Sequence, residues 1–392
     1  MVGVHAARAG STASTRSAGT ERRSTRPRYP GAARVGAVTE LVRDLDETAL
    51  LARIFPLLPP GAATLLGPGD DAAVVAAPDG RVVVSTDMLV EDRHFRRRWS
   101  TGYDVGVRAA AQNLADVAAM GARPTALVVS LGVPGDLEVA WVEGFARGLA
   151  AVCSGAGAAV VGGDLSGSEA IVVSVAVHGD LEGRAPVVRS GARPGDVVAH
   201  AGVRGRSAAG FALLDAGVAA PDDGAPGATG PLAPFVTGFL RPEPPLLAGP
   251  AAACAGATAM LDVSDGLLRD AGRIARASGV VVDLATTALR PHVEELLPAA
   301  RVLDAARPPD VPAGRSAGRR EGEPDPDRRA QAWVLSGGED HGLLAVFPAG
   351  AALPEPFVPV GWVRAVADGE PARATVDGQE PTVGPGWDHF SR

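Results

Sequence analysis

The chain has 392 residues, of which 46% are hydrophobic, and it carries a formal net charge of −8. This length can bury the cores of two domains, and the negative charge argues against a nucleic-acid-binding surface, because backbone phosphates are normally met by clustered positive charge. No uninterrupted apolar run reaches the roughly 18 residues that a membrane helix needs, so we expect a soluble, cytoplasmic protein.

Lysine is absent from the sequence, so arginine carries all of the positive side-chain charge. The phosphate-binding loop of P-loop proteins and the nucleotide site of protein kinases both require a lysine, and both are therefore excluded. A nucleotide would have to be held by metal ions, arginines and backbone amides. The two cysteines, Cys153 and Cys254, lie in Ala- and Gly-rich stretches and are expected to be buried free thiols.

The first elements in chain order are a tail, a helix and a hairpin. Residues 1–36 are rich in Ser, Thr, Arg and Gly, which predicts a disordered basic tail. The apolar spacing of Thr39–Leu58 predicts one amphipathic helix. Two β-branched runs, Val74–Ala77 and Arg81–Thr86, flank the turn sequence Pro78-Asp79-Gly80 and predict a β-hairpin.

Helices and strands alternate in the rest of the chain, which predicts an α/β or α+β fold. The predicted helices are Asp104–Met120, Leu137–Ala151 and Leu267–Ala277, and the predicted strands are Thr125–Leu131, Ala170–His178, Ala257–Val263 and Val280–Leu284, with two more around Val187 and Val197. Residues 216–231 and 305–329 lack periodicity and are predicted to be surface insertions. We place an N-terminal domain at 37–185 and a C-terminal domain at 186–392.

Carboxylates interrupt Gly-rich or strand-terminal segments at five places. These are Gly67-Pro68-Gly69-Asp70-Asp71-Ala72, Ser85-Thr86-Asp87-Met88, the helical pair Asn113 and Asp116, Val161-Gly162-Gly163-Asp164, and Leu261-Asp262-Val263-Ser264-Asp265-Gly266. Turn formation, strand-end capping, a solvated helix face or helix N-capping could each explain single members; only Asp262 lacks such an explanation. Together, in a chain without lysine, the five segments predict coordination of magnesium by hard oxygen ligands.

In chain order, the sequence blocks GDDAAVV, STDMLVEDRHF, NLADVAAMGARP, GGD, RSGARPGD, LDVSDGL, SGGED and GWDHF resemble the motif series of the thiamine-monophosphate kinase family. The resemblance runs from about Asp70 to Phe390. It implies the two-domain fold shared with aminoimidazole ribonucleotide synthetase and selenophosphate synthetase, in which the N-terminal sheet contributes to a homodimer interface. It also implies ATP-dependent phosphorylation of thiamine phosphate to thiamine diphosphate, by direct in-line transfer assisted by several Asp-bound Mg²⁺ ions.

The same resemblance assigns roles to individual residues. The magnesium-ligand positions are matched by Asp71, Ser85, Thr86, Asp87, Asp116, Asp164, Asp262 and Asp265. Nucleotide contacts are matched by Gly163, Asp164, Arg189 and Ser264, and the thiamine phosphate contacts by His94, Glu339 and Trp387. Asp87, Asp116 and Asp164 are predicted to be the catalytic carboxylates. His94 could instead be a surface histidine in an arginine-rich stretch, and Trp387 a hydrophobic anchor for the C-terminal tail.

Some features depart from the family or favour an alternative. His341-Gly342 follows SGGED, where the family usually has an aromatic residue and an acid. Aminoimidazole ribonucleotide synthetase is the alternative enzyme, and ATP consumption with formylglycinamidine ribonucleotide would favour it. A non-catalytic nucleotide- or metal-binding module with an RNA-binding arginine tail is the alternative from another class, and truncation of the tail would test it.

Overall fold

Helices and strands alternate along the residues that the computed structural model describes, which are 39–68, 72–225, 228–306, 325–384 and 386. The helices described are α1 (Glu47–Ile54), α2 (Gly102–Ala119), α3 (Val139–Ala156), α4 (Arg206–Asp215), α5 (Ala233–Leu240), α6 (Ala248–Cys254), α7 (Leu267–Ser278), α8 (Thr286–Ala305) and α9 (Pro326–Ser336). The strands described are β1 (Thr64–Leu66), β2 (Val74–Val75), β3 (Val83–Val90), β4 (Arg123–Val133), β5 (Ala159–Gly167), β6 (Val172–Asp180), β7 (Val197–Ala201), β8 (Ala259–Val263), β9 (Val281–Leu284), β10 (Gly342–Phe347), β11 (Val358–Arg364) and β12 (Arg373–Val376). The mixed helix and sheet content confirms the predicted fold class.

A four-stranded sheet forms the first layer, with the strand order β3-β6-β4-β5. β4 and β5 are parallel, and the other neighbours are antiparallel. Alternate residues of these strands point to opposite faces. Val129 and Val175 are buried in a core shared with Leu114 of α2 and Leu149 of α3. One face of the sheet is therefore covered by helices, and on the opposite face Val84 and Met88 of β3 are exposed.

Two glycines let α2 and α3 pack with their backbones in contact. A Cβ atom at Gly106 would lie 2.1 Å from the carbonyl oxygen of Phe145, and one at Gly148 would lie 2.2 Å from that of Tyr103. A reciprocal pair of hydrogen bonds between Thr101 and Asp104 caps the N-terminus of α2. The position of α2 is consequently fixed both at its start and along its length.

A six-stranded sheet forms the second layer, with the order β12-β9-β11-β7-β10-β8. Only the β12–β9 pair is parallel among the strand pairs of this sheet as described. Leu261 of β8 and Leu344 of β10 are buried in a core with Ile274 of α7 and Leu296 of α8. α2 contacts β8 and β10 as well as β3, β4 and β6, so this helix lies between the two sheets.

Three predicted elements differ from the structure. The predicted hairpin is wrong, because β2 pairs with β1 and β3 pairs with β6. No strand is described around Val187, whose amide instead donates to the carbonyl oxygen of Met120. The segment Thr39–Leu58 is not one helix, since the Asp46 side chain accepts a hydrogen bond from Ala49 and starts α1 there.

The remaining organisational predictions are met only in part. Cys153 is buried, but Cys254 is exposed, contrary to expectation. The predicted insertion at 216–231 contains the 3₁₀ turn Pro221–Gly224, and the one at 305–329 overlaps the start of α9. Residues 1–36 lie outside the described residues. Contacts group Glu40–Arg392 as one compact unit, so the domain boundary at 185/186 stays a prediction.

None of the helices in the described part of the chain combines the length and the hydropathy needed to cross a bilayer.

Candidate active site

The helix between the sheets brings polar side chains next to the edge strand β3. The Ser85 hydroxyl donates to Asp116 Oδ2 over 2.7 Å, and the Asp87 amide donates to Asn113 Oδ1 over 3.1 Å. Ser85 and Asp87 are two residues apart on a strand, so both face α2. Thr86 is between them and is exposed on the opposite face. The Asp87 carboxylate of β3 therefore points toward α2, on the side where the Asp116 carboxylate lies.

The edge strand β8 of the second sheet contributes Asp262 to the same region. Asp262 is buried, and its Oδ2 is 3.3 Å from Nδ1 of the buried His341. Glu339 and His341 both have positive φ angles, 68° and 52°, and the Glu339 amide donates to the carbonyl oxygen of Ser264. A Cβ atom at Gly338 would lie 2.3 Å from that same oxygen, so the segment before β10 requires glycine to pack on the end of β8.

The carboxylates in this region perturb one another. The pKa of Asp116 is raised to about 7, chiefly by burial and then by the charges of Asp262 and Asp87, while the Ser85 hydrogen bond and His341 lower it. Burial also raises the pKa of Asp87, which His341 lowers and Asp262 raises. Three carboxylates thus lie close together in a poorly solvated place, and the cluster is short of positive charge.

His341 supplies part of the missing charge. Burial disfavours its protonated form, but the hydrogen bond to Asp262 and the charge of Glu339 outweigh burial, so the pKa of His341 is raised overall. In the sequence, His341 stands where the family usually has an aromatic residue. The structure places it inside the carboxylate cluster, against Asp262.

A second group of charges lies where β8 leads into α7. The guanidinium of Arg273 bridges the carboxylates of Asp265 and Asp270, and the Asp265 amide donates to Asp270 Oδ2 over 3.1 Å. Burial raises the pKa of Asp270 to about 7, against the lowering effect of Arg273. The charge of Asp265 also acts on Asp87. Asp265 therefore belongs to the same charged region as Asp87, and one of its carboxylate oxygens is paired with Arg273.

The neighbouring residue Asp340 faces away from the cluster. Its carboxylate is buried and accepts hydrogen bonds from the amides of Gly205, over 2.5 Å, and Ser207, over 2.8 Å. These two amides belong to the start of α4, which favours a negative charge. Burial raises the pKa of Asp340 to about 6, while the two hydrogen bonds lower it.

Several predicted site residues lie elsewhere in the single chain. Gly163 aligns with Asp87 across the four-stranded sheet, but β5 and β3 are opposite edges, about 14 Å apart at three steps of about 4.8 Å. Asp164 follows it and is exposed. The exposed Arg189 is fixed through its carbonyl oxygen, which accepts from Ser278. Their assigned roles stay predictions.

The remaining predicted residues have mixed placements. His94 follows β3, and its Nδ1 accepts from the amide of Val90 over 3.0 Å, which holds the ring against its own strand. Ser264 and Glu339 are joined by the backbone hydrogen bond already described. Asp71 and Trp387 lie outside the described residues.

Two charged residues near the site, Arg108 and Asp270, are not among those predicted from the sequence. Arg108 is 2% exposed in α2, and its guanidinium pairs with Glu339. A usable signal was present, because Arg108, Gln112 and Asp116 recur every four residues in an otherwise Ala- and Val-rich helix and so share a face. Asp270 had no such signal, since its partner Arg273 resembles an ordinary helix-surface pair.

Among the described residues, no group of three or more His, Cys, Asp or Glu side chains has a geometry that encloses a metal ion. Crowded carboxylates with raised pKa values are nevertheless suited to a hard divalent cation, which would relieve their mutual repulsion. Such a cation completes its coordination with water and ligand phosphates when the protein supplies only one or two oxygens. The donor set fits a cation that arrives with a phosphorylated ligand.

Comparisons with known proteins agree on one family. Residues 69–181 match the family model described as AIR synthase related protein, N-terminal domain. The thiamine-monophosphate kinase of Mycobacterium tuberculosis strain H37Rv is 45% identical over 351 residues, which are 89% of this chain and 93% of that protein. The Corynebacterium glutamicum thiamine-monophosphate kinase is 38% identical over 326 residues, covering 82% and 88%. The structure of AaThiL complexed with AMPPCP and TMP matches with a TM-score of 0.62 and 31% identity, covering 79% of this chain and 87% of that one.

Proposed function

Because the chain belongs to the thiamine-monophosphate kinase family, we propose that it transfers the terminal phosphoryl group of ATP to thiamine phosphate and releases thiamine diphosphate and ADP. The observation that carries the proposal is the cluster of Asp87, Asp116 and Asp262 between the two sheets, in which Asp262 is buried and the other two are half-buried. The related AaThiL structure holds the ATP analogue AMPPCP together with TMP, which supports the choice of both substrates.

We infer that Mg²⁺ is the cation that the cluster binds, with Asp87, Asp116 and Asp262 as its protein ligands, one or two of them to an ion. When bound there, Mg²⁺ would neutralise negative charge on the phosphates of the two substrates. Ser85, whose hydroxyl donates to Asp116, and Asp265, whose charge acts on Asp87, supply further oxygen donors. Thr86, Asp164 and Asp71 are proposed as ligands of further Mg²⁺ ions on the family resemblance alone.

The transfer itself requires no protein nucleophile. A phosphate oxygen of thiamine phosphate attacks the γ-phosphorus of ATP in line, the new P–O bond forms, and the bond to the β–γ bridging oxygen breaks with ADP as the leaving group. The acceptor phosphate is already ionised near neutral pH, so no general base has to remove a proton. The protein contributes alignment and a charged pocket from which water is partly excluded.

A product assay tests the proposal. With ATP, Mg²⁺ and either thiamine phosphate or free thiamine as acceptor, we expect thiamine diphosphate from the monophosphate only, measured by chromatography. EDTA should abolish its formation. Absence of product from folded protein, or ATP consumption only with formylglycinamidine ribonucleotide, would contradict the assignment and favour the purine-pathway alternative.

We also propose that the chain is a homodimer through the face of the four-stranded sheet that the helices leave uncovered. On β3, Val84 is 59% and Met88 52% exposed. These side chains share one face with Thr86 because they are spaced by two residues. An apolar strand face of this kind favours association with a partner surface over contact with water.

Substitution of Met88 tests the dimer. We expect Met88→Arg to weaken self-association at least about 10-fold, because the interface would bury an unpaired charge. Light scattering coupled to size exclusion would then give a monomer mass where the wild type gives a dimer mass. Val358→Arg is the matched control, since Val358 is 47% exposed on the other sheet. A monomeric wild type, or an unaffected Met88→Arg dimer, would refute this interface.

A further inference from the structure

The described hydrogen bonds and ring contact of the Arg108 side chain are all made to residues outside α2. Its NH1 donates to Glu339 Oε2 over 2.5 Å, and its NH2 donates to the carbonyl oxygen of Phe239. Its guanidinium carbon lies 4.7 Å from the centre of the Phe239 ring. Arg108 thus links α2 both to the C-terminal end of α5 and to the segment that precedes β10.

Glu339 has a constrained backbone and a carboxylate of which one oxygen is paired. Its φ angle of 68° lies in a region that side-chain-bearing residues rarely adopt. Its amide is bound to Ser264, while its side chain remains 39% exposed. Oε2 is taken by Arg108, and Oε1 accepts no hydrogen bond from the described residues. Among the described residues, the backbone and one carboxylate oxygen of Glu339 thus have partners, and the other oxygen has none.

We propose that Arg108 is a positioning residue that orients Glu339 toward thiamine phosphate, and so sets the affinity for this substrate without touching it. The inference rests on the proposed function and on the family resemblance, which assigns Glu339 to thiamine phosphate binding. Arg108 is 2% exposed and Glu339 lies at the surface of the site, so only the glutamate can reach a ligand. A planar guanidinium with two donors in use holds a carboxylate in one orientation better than a single point charge does.

A purely structural role for Arg108 makes a different prediction. Breaking its contacts would then loosen α2 and α5 together and affect both substrates, because Asn113 and Asp116 lie on the same helix. A positioning role acts through Glu339 alone. The two roles are separated by comparing the substrates and by asking whether the effect survives when Glu339 can no longer act.

The experiment is a double-mutant cycle with Arg108→Met, Glu339→Gln and the double variant, measured in the full-length protein. We expect Arg108→Met to raise the KM for thiamine phosphate, and the dissociation constant from titration calorimetry, about 10-fold, with the KM for ATP changed less than about 2-fold. In the Glu339→Gln background, Arg108→Met should add little further change. Arg108→Lys should restore part of the affinity, since it keeps the charge but donates less rigidly.

Arg329→Met is the matched control, because Arg329 pairs over 2.6 Å with the nearly buried Asp304 away from the site. It should lower thermal stability without changing either KM. Equal losses for both substrates, or full additivity with Glu339→Gln, would overturn the proposal. If Arg108→Met does not fold, Arg108→Lys takes its place: its KM values for thiamine phosphate and ATP, alone and combined with Glu339→Gln, are judged by the same two criteria. Absent wild-type turnover would contradict the proposed function, whereas turnover with unchanged thiamine phosphate affinity in the Arg108 variants contradicts only this inference.

Discussion

The Asp262→Asn variant is expected to lose about 10³-fold in kcat, the upper range for removal of one preorganised electrostatic group. Asp262 is buried, and its charge acts on both Asp87 and Asp116. Asparagine keeps the shape of the side chain but removes the negative charge that a cation would bind. Steady-state assay of thiamine diphosphate formation at saturating substrates would measure the loss.

A second observable follows from the same substitution. Since the charge of Asp262 raises the pKa of Asp116, Asp262→Asn should lower the pKa of Asp116, as read from its carboxyl resonance by NMR. Asp283→Asn is the control, because Asp283 is a buried carboxylate of the same sheet that accepts from Thr375 and Gly378. The control should cost about 1–3 kcal/mol of stability and leave kcat within about 2-fold. Equal loss of kcat in the two variants would mean that Asp262 is structural.

Asp116→Asn is expected to stabilise the metal-free protein while inactivating it. The pKa of Asp116 is raised from 3.8 to about 7 by burial and by its neighbours, so the folded state binds a proton more tightly than the unfolded state does. The stability from this proton is fully present below pH 3.8 and is lost as the pH rises through about 7. Asparagine carries no charge at any pH and avoids that loss.

The advantage of Asp116→Asn over the wild type should therefore grow between pH 5 and pH 8. At about 1.4 kcal/mol per pH unit over the roughly two units from pH 5 to the folded pKa of about 7, the growth is about 3 kcal/mol. Urea unfolding in EDTA at the two pH values would measure this difference in the free energy of unfolding. Groups that titrate in the same way in both proteins contribute equally to each and drop out when the two are subtracted. Saturating Mg²⁺ with ATP should reverse the ranking at pH 8, because only the wild type binds the cation fully. A constant difference across this pH range would show that Asp116 is not perturbed.

Local sequence signals located most of the elements but not their partners. The Pro78-Asp79-Gly80 turn is present, with Gly80 at a φ of 72°, yet β3 pairs with β6, whose partner residues lie about ninety positions further along the chain. Turn chemistry specifies a reversal of the chain and does not specify which strand completes the pair. The segment around Val187 lies beside the edge strand β8, where the Val188 carbonyl oxygen accepts from the Met260 amide, but no strand ladder forms there.

The candidate site was predictable where residue type alone carries the chemistry. Asp87, Asp116 and Asp262 were identified from their carboxylates, and the structure brings them together. Arg108 was missed because its partner Glu339 is 231 residues away, and the role of His341 depends on its pairing with Asp262. The sequence alone does not indicate that Asp164 lies in the edge strand opposite to that of Asp87, since strand order is a property of the whole fold.

The segment from Glu339 to His341 alternates its side chains between two environments, and this imposes a constraint on length. The Asp340 carboxylate accepts hydrogen bonds from the amides at the start of α4, whereas the side chains of Glu339 and His341 face the carboxylate cluster. A deletion or insertion of one residue would exchange these assignments and place a histidine or glutamate where two amides require a short carboxylate. Homologous chains and designed variants should therefore accept substitutions in this segment far more readily than any change in its residue count.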